Sequence, residues 1–253
     1  MIPDKLFSLL VFAWIGIAVL LFPLLLTVTA PYGRHSSKNW GPVISNRLGW
    51  IVMELPALVI VAWFIIRFET FRSFIAIAAS VLWIMHYFHR AVLFPFRIHT
   101  RGKKMPLVIV LFAFVFNLVN GIFNGSWLVH LNSLTNTSVA DDLRIVTGIA
   151  VFLLGFGLNQ YHDRILIRLR KDRINGYQIP TGGLFRYVSC PNFLGEILEW
   201  GGYALLAWGL PPLSFFIWTI VNLVPRALNH HKWYKRNFAG YPSERKAIIP
   251  FLV

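Results

Sequence analysis

Ionisable and amide side chains recur within stretches of this chain that are otherwise apolar. They include Glu54, the run His86-Tyr87-Phe88-His89-Arg90, and the carboxylates Glu196 and Glu199. Further members are Asn159, Asp163, Arg170, Asn192, His230 and Tyr234, and Trp200 directly follows Glu199. Ionisable residues inside membrane segments are costly and are functional candidates by default. The alternative for each residue is structural, because polar side chains also join membrane helices by hydrogen bonds.

Helical spacing places many of these residues on shared faces, because residues three, four or seven positions apart lie on one side of a helix. The shared faces are Asn192-Glu196-Glu199-Trp200, Asn159-Asp163-Arg170, Tyr87-Arg90 and His230-Tyr234. All of them lie at the same end of their segments. This common depth favours a polar cavity that opens on one side of the membrane and is capped by an apolar chamber.

Basic residues surround the predicted cavity, namely Arg34, Arg101, Lys103, Arg168, Arg170 and Lys171. A basic rim around carboxylates, amides and aromatic rings suits a ligand with phosphate and hydroxyl groups, such as a nucleotide. The positive-inside bias of membrane proteins explains the same charges without a ligand. The sequence has no Gly-rich phosphate-binding motif and no His or Cys spacing typical of metal ligands, so we expect no metal site.

Seven apolar segments must position these residues. They cover about residues 6–30, 48–66, 74–94, 105–130, 145–162, 193–211 and 213–231. A helix of about 20 residues crosses a hydrocarbon core of about 30 Å. The sequence therefore predicts an all-α integral membrane protein with seven transmembrane helices, the last two forming a hairpin, in one domain over residues 1–253.

The basic residues also predict the orientation of the chain. Most of the 24 Lys and Arg residues fall in the loops after segments one, three and five and in the C-terminal tail. Loops rich in Lys and Arg face the cytoplasm. We therefore expect the N-terminus outside, the C-terminus in the cytoplasm, and the polar cavity on the cytoplasmic side.

The composition excludes several classes of protein. Apolar residues make up 57% of the chain and charged residues only 13%, against about 25% charged residues in soluble domains. A nucleic-acid binder with the same net charge of +14 would be far more polar, so we expect no nucleic-acid partner. The single cysteine, Cys190, excludes an intrachain disulfide.

Several motifs carry a resemblance to a known family. They are Glu54-Leu55-Pro56, His86-Tyr87-Phe88-His89-Arg90, Ile179-Pro180-Thr181-Gly182-Gly183-Leu184-Phe185, Asn192-Phe193-Leu194-Gly195-Glu196-Ile197-Leu198-Glu199-Trp200 and Ala247-Ile248-Ile249-Pro250-Phe251. Together they resemble the steroid 5-alpha-reductase family (3-oxo-5-alpha-steroid 4-dehydrogenase). The resemblance covers most of the chain and is strongest from Asn159 to the end.

The resemblance implies NADPH-dependent reduction of the Δ4 double bond of a 3-oxo steroid, with Glu54 and Tyr87 holding the C3 carbonyl oxygen. A donor aimed at that oxygen stabilises the negative charge that develops on it. Glu54 donates only if it is protonated; otherwise it stays ionised and orients Tyr87. The substrate part is expected mainly in helices one to four and the NADPH part mainly in residues 159–253.

The resemblance also implies a set of NADPH-binding residues. They are Arg90, Asn159, Asp163, Arg170, Tyr177, Asn192, Glu196, His230 and Tyr234. The polar and basic positions Arg34, Arg101, Lys103, Glu199 and Trp200 complete the expected set.

Other functions stay open at this point. The alternatives are a membrane enoyl or polyprenal reductase and, further away, an S-adenosylmethionine-dependent membrane methyltransferase. A transporter or receptor is disfavoured, because the outer half of the segments is nearly all apolar. We expect a steroid that enters from the bilayer, no obligate protein partner, and a location in a bacterial inner membrane or the endoplasmic reticulum.

Overall fold

The computed structural model describes residues 4–28, 40–100, 102–134, 143–171 and 177–253. The predicted cofactor residues Arg34 and Arg101 lie outside these ranges. Lys171, one of the basic residues around the predicted cavity, is described by its backbone only.

The described chain is mostly helical. Its long helices are α1 (Asp4–Thr27), α2 (Asn46–Phe68), α3 (Phe74–Phe88), α5 (Leu107–Ser133), α6 (Leu143–Lys171), α7 (Pro191–Ala207) and α8 (Leu210–Asn237), and a short α4 (Phe94–Arg97) follows α3. Each predicted segment therefore contains one long helix.

Five helical stretches in the described ranges are long and apolar enough to cross a membrane. They are Lys5–Thr27, Asn46–Phe68, Phe74–Arg97, Leu107–Ser133 and Leu143–Arg170. The protein is accordingly a multi-pass membrane protein with at least these candidate spans. Helices α7 and α8 form the expected hairpin, joined by Trp208 and Gly209.

The third span contains a π-helical segment that the sequence did not predict. Residues His89–Leu93 form this segment between α3 and α4, so that the span Phe74–Arg97 is continuous. A π segment rotates the side chains that follow it and often marks a functional site. Here it contains His89 and Arg90.

A small two-stranded sheet is a second feature that the prediction of an all-α protein lacked. Strands β1 (Val43–Ser45) and β2 (Lys104–Pro106) pair antiparallel, with Ile44 opposite Met105. Helices α2 and α5 begin directly after these strands, so the strand pair places the N-termini of the two helices side by side. Farther along, α2 and α5 pack closely at two glycines of α5. A Cβ on Gly121 would contact Ile60 of α2, and a Cβ on Gly125 would overlap Phe64 of α2.

Helices α6 and α7 pack at their backbones because glycines line the contact. A Cβ added to Gly148 or Gly155 of α6 would collide with the backbone of α7. The same holds in reverse for Gly195 and Gly202 of α7 against α6. Small residues allow membrane helices to approach closely in this way. The close approach places the polar face of α6 directly against the first turns of α7.

An aromatic cluster fills the centre of the bundle. Trp83 of α3 packs against Trp200 and Tyr203 of α7 and Phe215 of α8, with ring centroids 5.2–5.4 Å apart. Such ring pairs stabilise a core beyond the area that they bury. The cluster joins the third span to the C-terminal helices and forms one wall behind Tyr87.

Candidate active site

Glu54 lies half-buried in the third turn of α2, two residues before Pro56. Its Oε2 atom accepts a hydrogen bond of 3.3 Å from the side-chain amide of Asn117 on α5. Its Oε1 atom lies 3.8 Å from Nη2 of Arg90. Both carboxyl oxygens therefore face N–H groups.

Tyr87 lies at the end of α3 and is only 2% exposed. Its hydroxyl donates to Oδ1 of Asn117 over 3.2 Å. The amide nitrogen of Asn117 also donates to the backbone carbonyl of Met53 over 2.5 Å. One amide group thus joins Glu54 and Tyr87, the two residues expected to hold the substrate carbonyl.

Arg90 connects this pair to a second group of polar residues. Its guanidinium lies 3.8 Å from Glu54 and, on the other side, 3.8 Å from Oδ2 of Asp163 on α6. It also stacks over the rings of Trp50 and Phe94, 4.7 and 5.0 Å from the centroids. Arginine favours such sites because its planar cation stacks on rings and pairs with carboxylates.

Four of the residues expected to bind NADPH form one hydrogen-bonded group between α6 and α7. The Asn192 side chain donates to Asp163 over 2.9 Å. The Asn159 side chain donates to the Asn192 backbone carbonyl over 3.0 Å and to Glu196 over 3.3 Å. Asn159, Asp163 and Asn192 are buried and Glu196 is half-buried. The structure therefore unites residues that the sequence separates by about 30 positions.

The network continues to His89 and to two residues, Gln160 and Arg97, that the sequence analysis did not select. Gln160 bonds Oδ1 of Asn159 over 3.3 Å and lies 3.0 Å from Nδ1 of His89. The other ring nitrogen of His89 lies 2.9 Å from Nη1 of Arg97. These contacts hold the π segment against α6.

Glu199 and Trp200 lie deeper than the other predicted cofactor residues. Glu199 is fully buried and bonds Nδ1 of His86 over 2.6 Å. Trp200 is 1% exposed and packs against His86 with centroids 4.6 Å apart. Both residues thus contact α3, away from Asp163 and Asn192, and their role in cofactor binding stays a prediction.

Lys103 and Tyr177, a predicted cofactor pair, contact each other at the surface. The ammonium group of Lys103 donates to the Tyr177 hydroxyl over 3.0 Å and lies over its ring. The Tyr177 ring in turn packs edge-on against Trp233 of α8. Arg170, near the end of α6, is half-buried.

His230 and Tyr234 follow on α8. The His230 ring lies 5.8 Å from that of Phe193, one residue after Asn192. Tyr234 is buried and stacks on Tyr241 of the C-terminal segment at 5.3 Å. Burial raises the pKa of Tyr241, whose hydroxyl bonds Ser189 over 2.6 Å. These contacts hold the tail beside the start of α7.

Asn117 is the principal site residue that the sequence analysis missed. The signal was present, because Asn117, Asn120 and Asn124 occur at helical spacing in an otherwise apolar segment and are all buried. Asn120 accepts from the indole of Trp14 on α1 over 3.3 Å. The inner face of α5 is therefore more polar than the expected apolar chamber.

Metal ligands were not expected, and that expectation stays a prediction. Within the ranges that the structure describes, no three His, Cys, Asp or Glu side chains are grouped so that they could hold a metal ion.

The fold and this network define a multi-pass helical membrane protein with a buried site of carboxylate, amide and guanidinium groups. A family model described as 3-oxo-5-alpha-steroid 4-dehydrogenase matches residues 103–253. The chain is 40% identical to steroid 5-alpha-reductase DET2 of Arabidopsis thaliana, over 90% of each chain. It is 42% identical to 3-oxo-5-alpha-steroid 4-dehydrogenase 2 of Sus scrofa and 38% identical to that of Homo sapiens, over 87% of each chain in both cases.

The chain therefore belongs to the steroid 5-alpha-reductase (3-oxo-5-alpha-steroid 4-dehydrogenase) family. It is an oxidoreductase, and the family resemblance noted in the sequence is confirmed.

Proposed function

We propose that this enzyme reduces the Δ4 double bond of 3-oxo-Δ4-steroids to 5α-3-oxosteroids, with NADPH as the reductant. One observation carries the proposal beyond family membership. Glu54 and Tyr87 meet at one buried amide, and Arg90 links them to the polar group around Asp163. A site for a carbonyl and a site for a polar cofactor would then be adjacent.

The residues present fit NADPH. The Asp163 and Glu196 carboxylates are acceptors suited to hydroxyl groups, and the amides of Asn159 and Asn192 both donate and accept, as recognition of a carboxamide requires. Lys103 supplies positive charge for phosphate. When bound, NADPH supplies the hydride. Contacts by the other expected residues stay predictions, namely Arg34, Arg90, Arg101, Arg170, Tyr177, Glu199, Trp200, His230 and Tyr234.

Tyr87 stabilises the transition state in this proposal. As hydride adds to C5, the electrons of the C4–C5 double bond move toward C3, and the C3 oxygen acquires negative charge. The Tyr87 hydroxyl turns from Asn117 to donate a hydrogen bond to that oxygen, and this lowers the barrier because packing of the ring already holds the hydroxyl group in position. A proton then adds to C4 and completes the reduction.

Glu54 orients Tyr87 in this proposal and does not itself bond the substrate carbonyl. Both of its carboxyl oxygens already face donors, since Asn117 bonds Oε2 and Arg90 lies beside Oε1. We therefore assign to Glu54 the alternative in which it stays ionised and orients Tyr87, over the alternative in which it is protonated and donates a hydrogen bond to the carbonyl oxygen.

The proposed topology places seven helices across the membrane, with the N-terminus outside and the C-terminus in the cytoplasm. The C-terminal helices α7 and α8 supply much of the cofactor site, which would then face cytoplasmic NADPH. The steroid would enter from the bilayer, in which an apolar substrate is concentrated.

The test is steroid-dependent oxidation of NADPH by the protein purified in detergent. We expect oxidation with testosterone, progesterone or androstenedione and a 5α-reduced product by mass spectrometry. A steroid that is already saturated at C4–C5 is the control and should give no oxidation. Lack of oxidation with all three substrates would contradict the proposal.

The identity of the cofactor is tested separately by mass spectrometry of small molecules that copurify with the protein. NADP(H) supports a reductase. Copurified S-adenosylmethionine would instead favour the methyltransferase alternative, and turnover of an enoyl or polyprenal substrate alone would favour the other reductases.

A further inference from the structure

Asn117 has a place in the site that no motif assigned to it. It is 4% exposed and lies on α5, between Glu54 of α2 and Tyr87 of α3. Its amide makes three hydrogen bonds at once, two from the nitrogen and one to the oxygen.

The orientation of this amide is determined by its partners. The backbone carbonyl of Met53 can only accept, so the NH₂ group of Asn117 must face α2, where it also reaches Glu54. The amide oxygen then faces Tyr87, and the only hydrogen of the Tyr87 hydroxyl points at it. Asn117 therefore sets the direction of the hydroxyl before any substrate arrives.

Asn117 also keeps the carboxylate and the hydroxyl on opposite ends of one amide. A direct hydrogen bond from a hydroxyl to a carboxylate is charge-assisted, shorter than a neutral one and about twice as strong. Such a bond between Tyr87 and Glu54 would occupy the donor that the substrate carbonyl needs. The bond from Tyr87 to Asn117, at 3.2 Å, is longer than the 2.5–3.0 Å typical of O–H···O bonds. It is therefore easily exchanged.

We propose that Asn117 is a positioning residue, which holds the Tyr87 hydroxyl apart from Glu54 and releases it to the substrate carbonyl. This inference rests on the proposed function, because it assigns Tyr87 the role of donor to the C3 oxygen. Asn117 itself does not touch the reacting atoms in this proposal.

The test is a double-mutant cycle between Asn117→Leu and Tyr87→Phe, with kcat for a Δ4-3-oxo steroid measured at saturating NADPH. If Asn117 acts through the Tyr87 hydroxyl, Asn117→Leu should lower kcat about tenfold or more in the wild type. In the Tyr87→Phe background the same change should have little further effect. The KM for NADPH should stay unchanged in both backgrounds.

Asn120→Leu is the matched control, because Asn120 lies one turn away on the same helix and is equally buried. Its bond to Trp14 is structural, so its effect on kcat should be the same with and without the Tyr87 hydroxyl. Equal losses for Asn117→Leu in the two backgrounds would show that Asn117 is also only structural and would overturn the inference.

Two further outcomes are decisive. If Asn117→Leu does not fold, the same cycle is measured with Asn117→Ala, which removes the three hydrogen bonds of the amide without adding bulk. Additive losses would again overturn the role of Asn117. A wild-type protein without steroid-dependent NADPH oxidation would overturn the proposed function and this inference with it, whereas additive losses in an active protein overturn the inference alone.

Discussion

Replacing Tyr87 with phenylalanine removes one hydroxyl group and leaves the aromatic ring in its packing. The ring lies between Trp83 and His86, each 5.0 Å away by centroid, and Trp200 at 5.8 Å. None of these contacts involves the hydroxyl. The substitution breaks only the hydrogen bond to Asn117, and because it leaves the buried amide oxygen of Asn117 without this partner, it should cost about 1–3 kcal/mol in stability.

The expected loss of transition-state stabilisation is larger. Removal of one donor to a developing oxyanion lowers kcat by about 10²–10³, or about 2.7–4 kcal/mol of transition-state stabilisation. Tyr87→Phe should therefore remain folded, with a melting temperature lowered by about 2–12 °C, while its turnover falls by at least about 10². NADPH affinity should not change, because the Tyr87 hydroxyl bonds Asn117, which is not one of the proposed cofactor residues.

The assay is single-turnover conversion of a Δ4-3-oxo steroid at saturating NADPH, with product quantified by mass spectrometry. Tyr203→Phe is the matched control. Tyr203 is also a buried tyrosine of the aromatic cluster, 1% exposed, but it lies on α7 and outside the network around Asn117. Unchanged turnover in Tyr87→Phe, or an equal loss in Tyr203→Phe, would refute the assignment of Tyr87 as the donor.

Three other substitutions test the rest of the site and its scaffold. Glu54→Gln should lower kcat more than it weakens NADPH binding measured by titration, and equal losses would place Glu54 in the cofactor site. Gly155→Ala should destabilise the protein by about 1–3 kcal/mol in thermal denaturation, because its Cβ would collide with the α7 backbone; Gly157→Ala, with open space around it, should not. Glu199→Leu should cost about 1–3 kcal/mol by leaving buried His86 without its hydrogen-bond partner, and His86→Leu/Glu199→Leu should recover most of that loss. No recovery in the double variant would show that the pair is not the cause.

The helices were predictable because their signal is local. A run of apolar residues long enough to span a membrane gives α2 as 48–66 by sequence and Asn46–Phe68 in the structure. The strands Val43–Ser45 and Lys104–Pro106 were not predictable in this way. Each strand has only three residues, and the two strands pair across about 60 positions, so no local sequence pattern predicts them. The π segment was missed because no residue type requires it.

The composition of the site was also largely visible in the sequence. Charged residues are costly in apolar segments, so Glu54, Arg90 and Asp163 stood out without any structure. Asn159 stood out because it shares a helix face with Asp163. Asn117 did not, because an uncharged amide in an apolar helix is as readily explained by a structural hydrogen bond. Its importance depends on which side chains it meets.

The sequence by itself determined the helical membrane fold, the family and the helix face that each polar residue occupies. The tertiary structure alone decided which faces meet. Glycine contacts bring Asp163 against Asn192, and the small sheet starts α2 beside α5, so that Glu54 reaches Asn117. Glu199 bonds His86 because α7 packs against α3, which the sequence does not show. Helical periodicity is a property of consecutive residues, whereas the partner of a face depends on packing between segments that are distant in the chain.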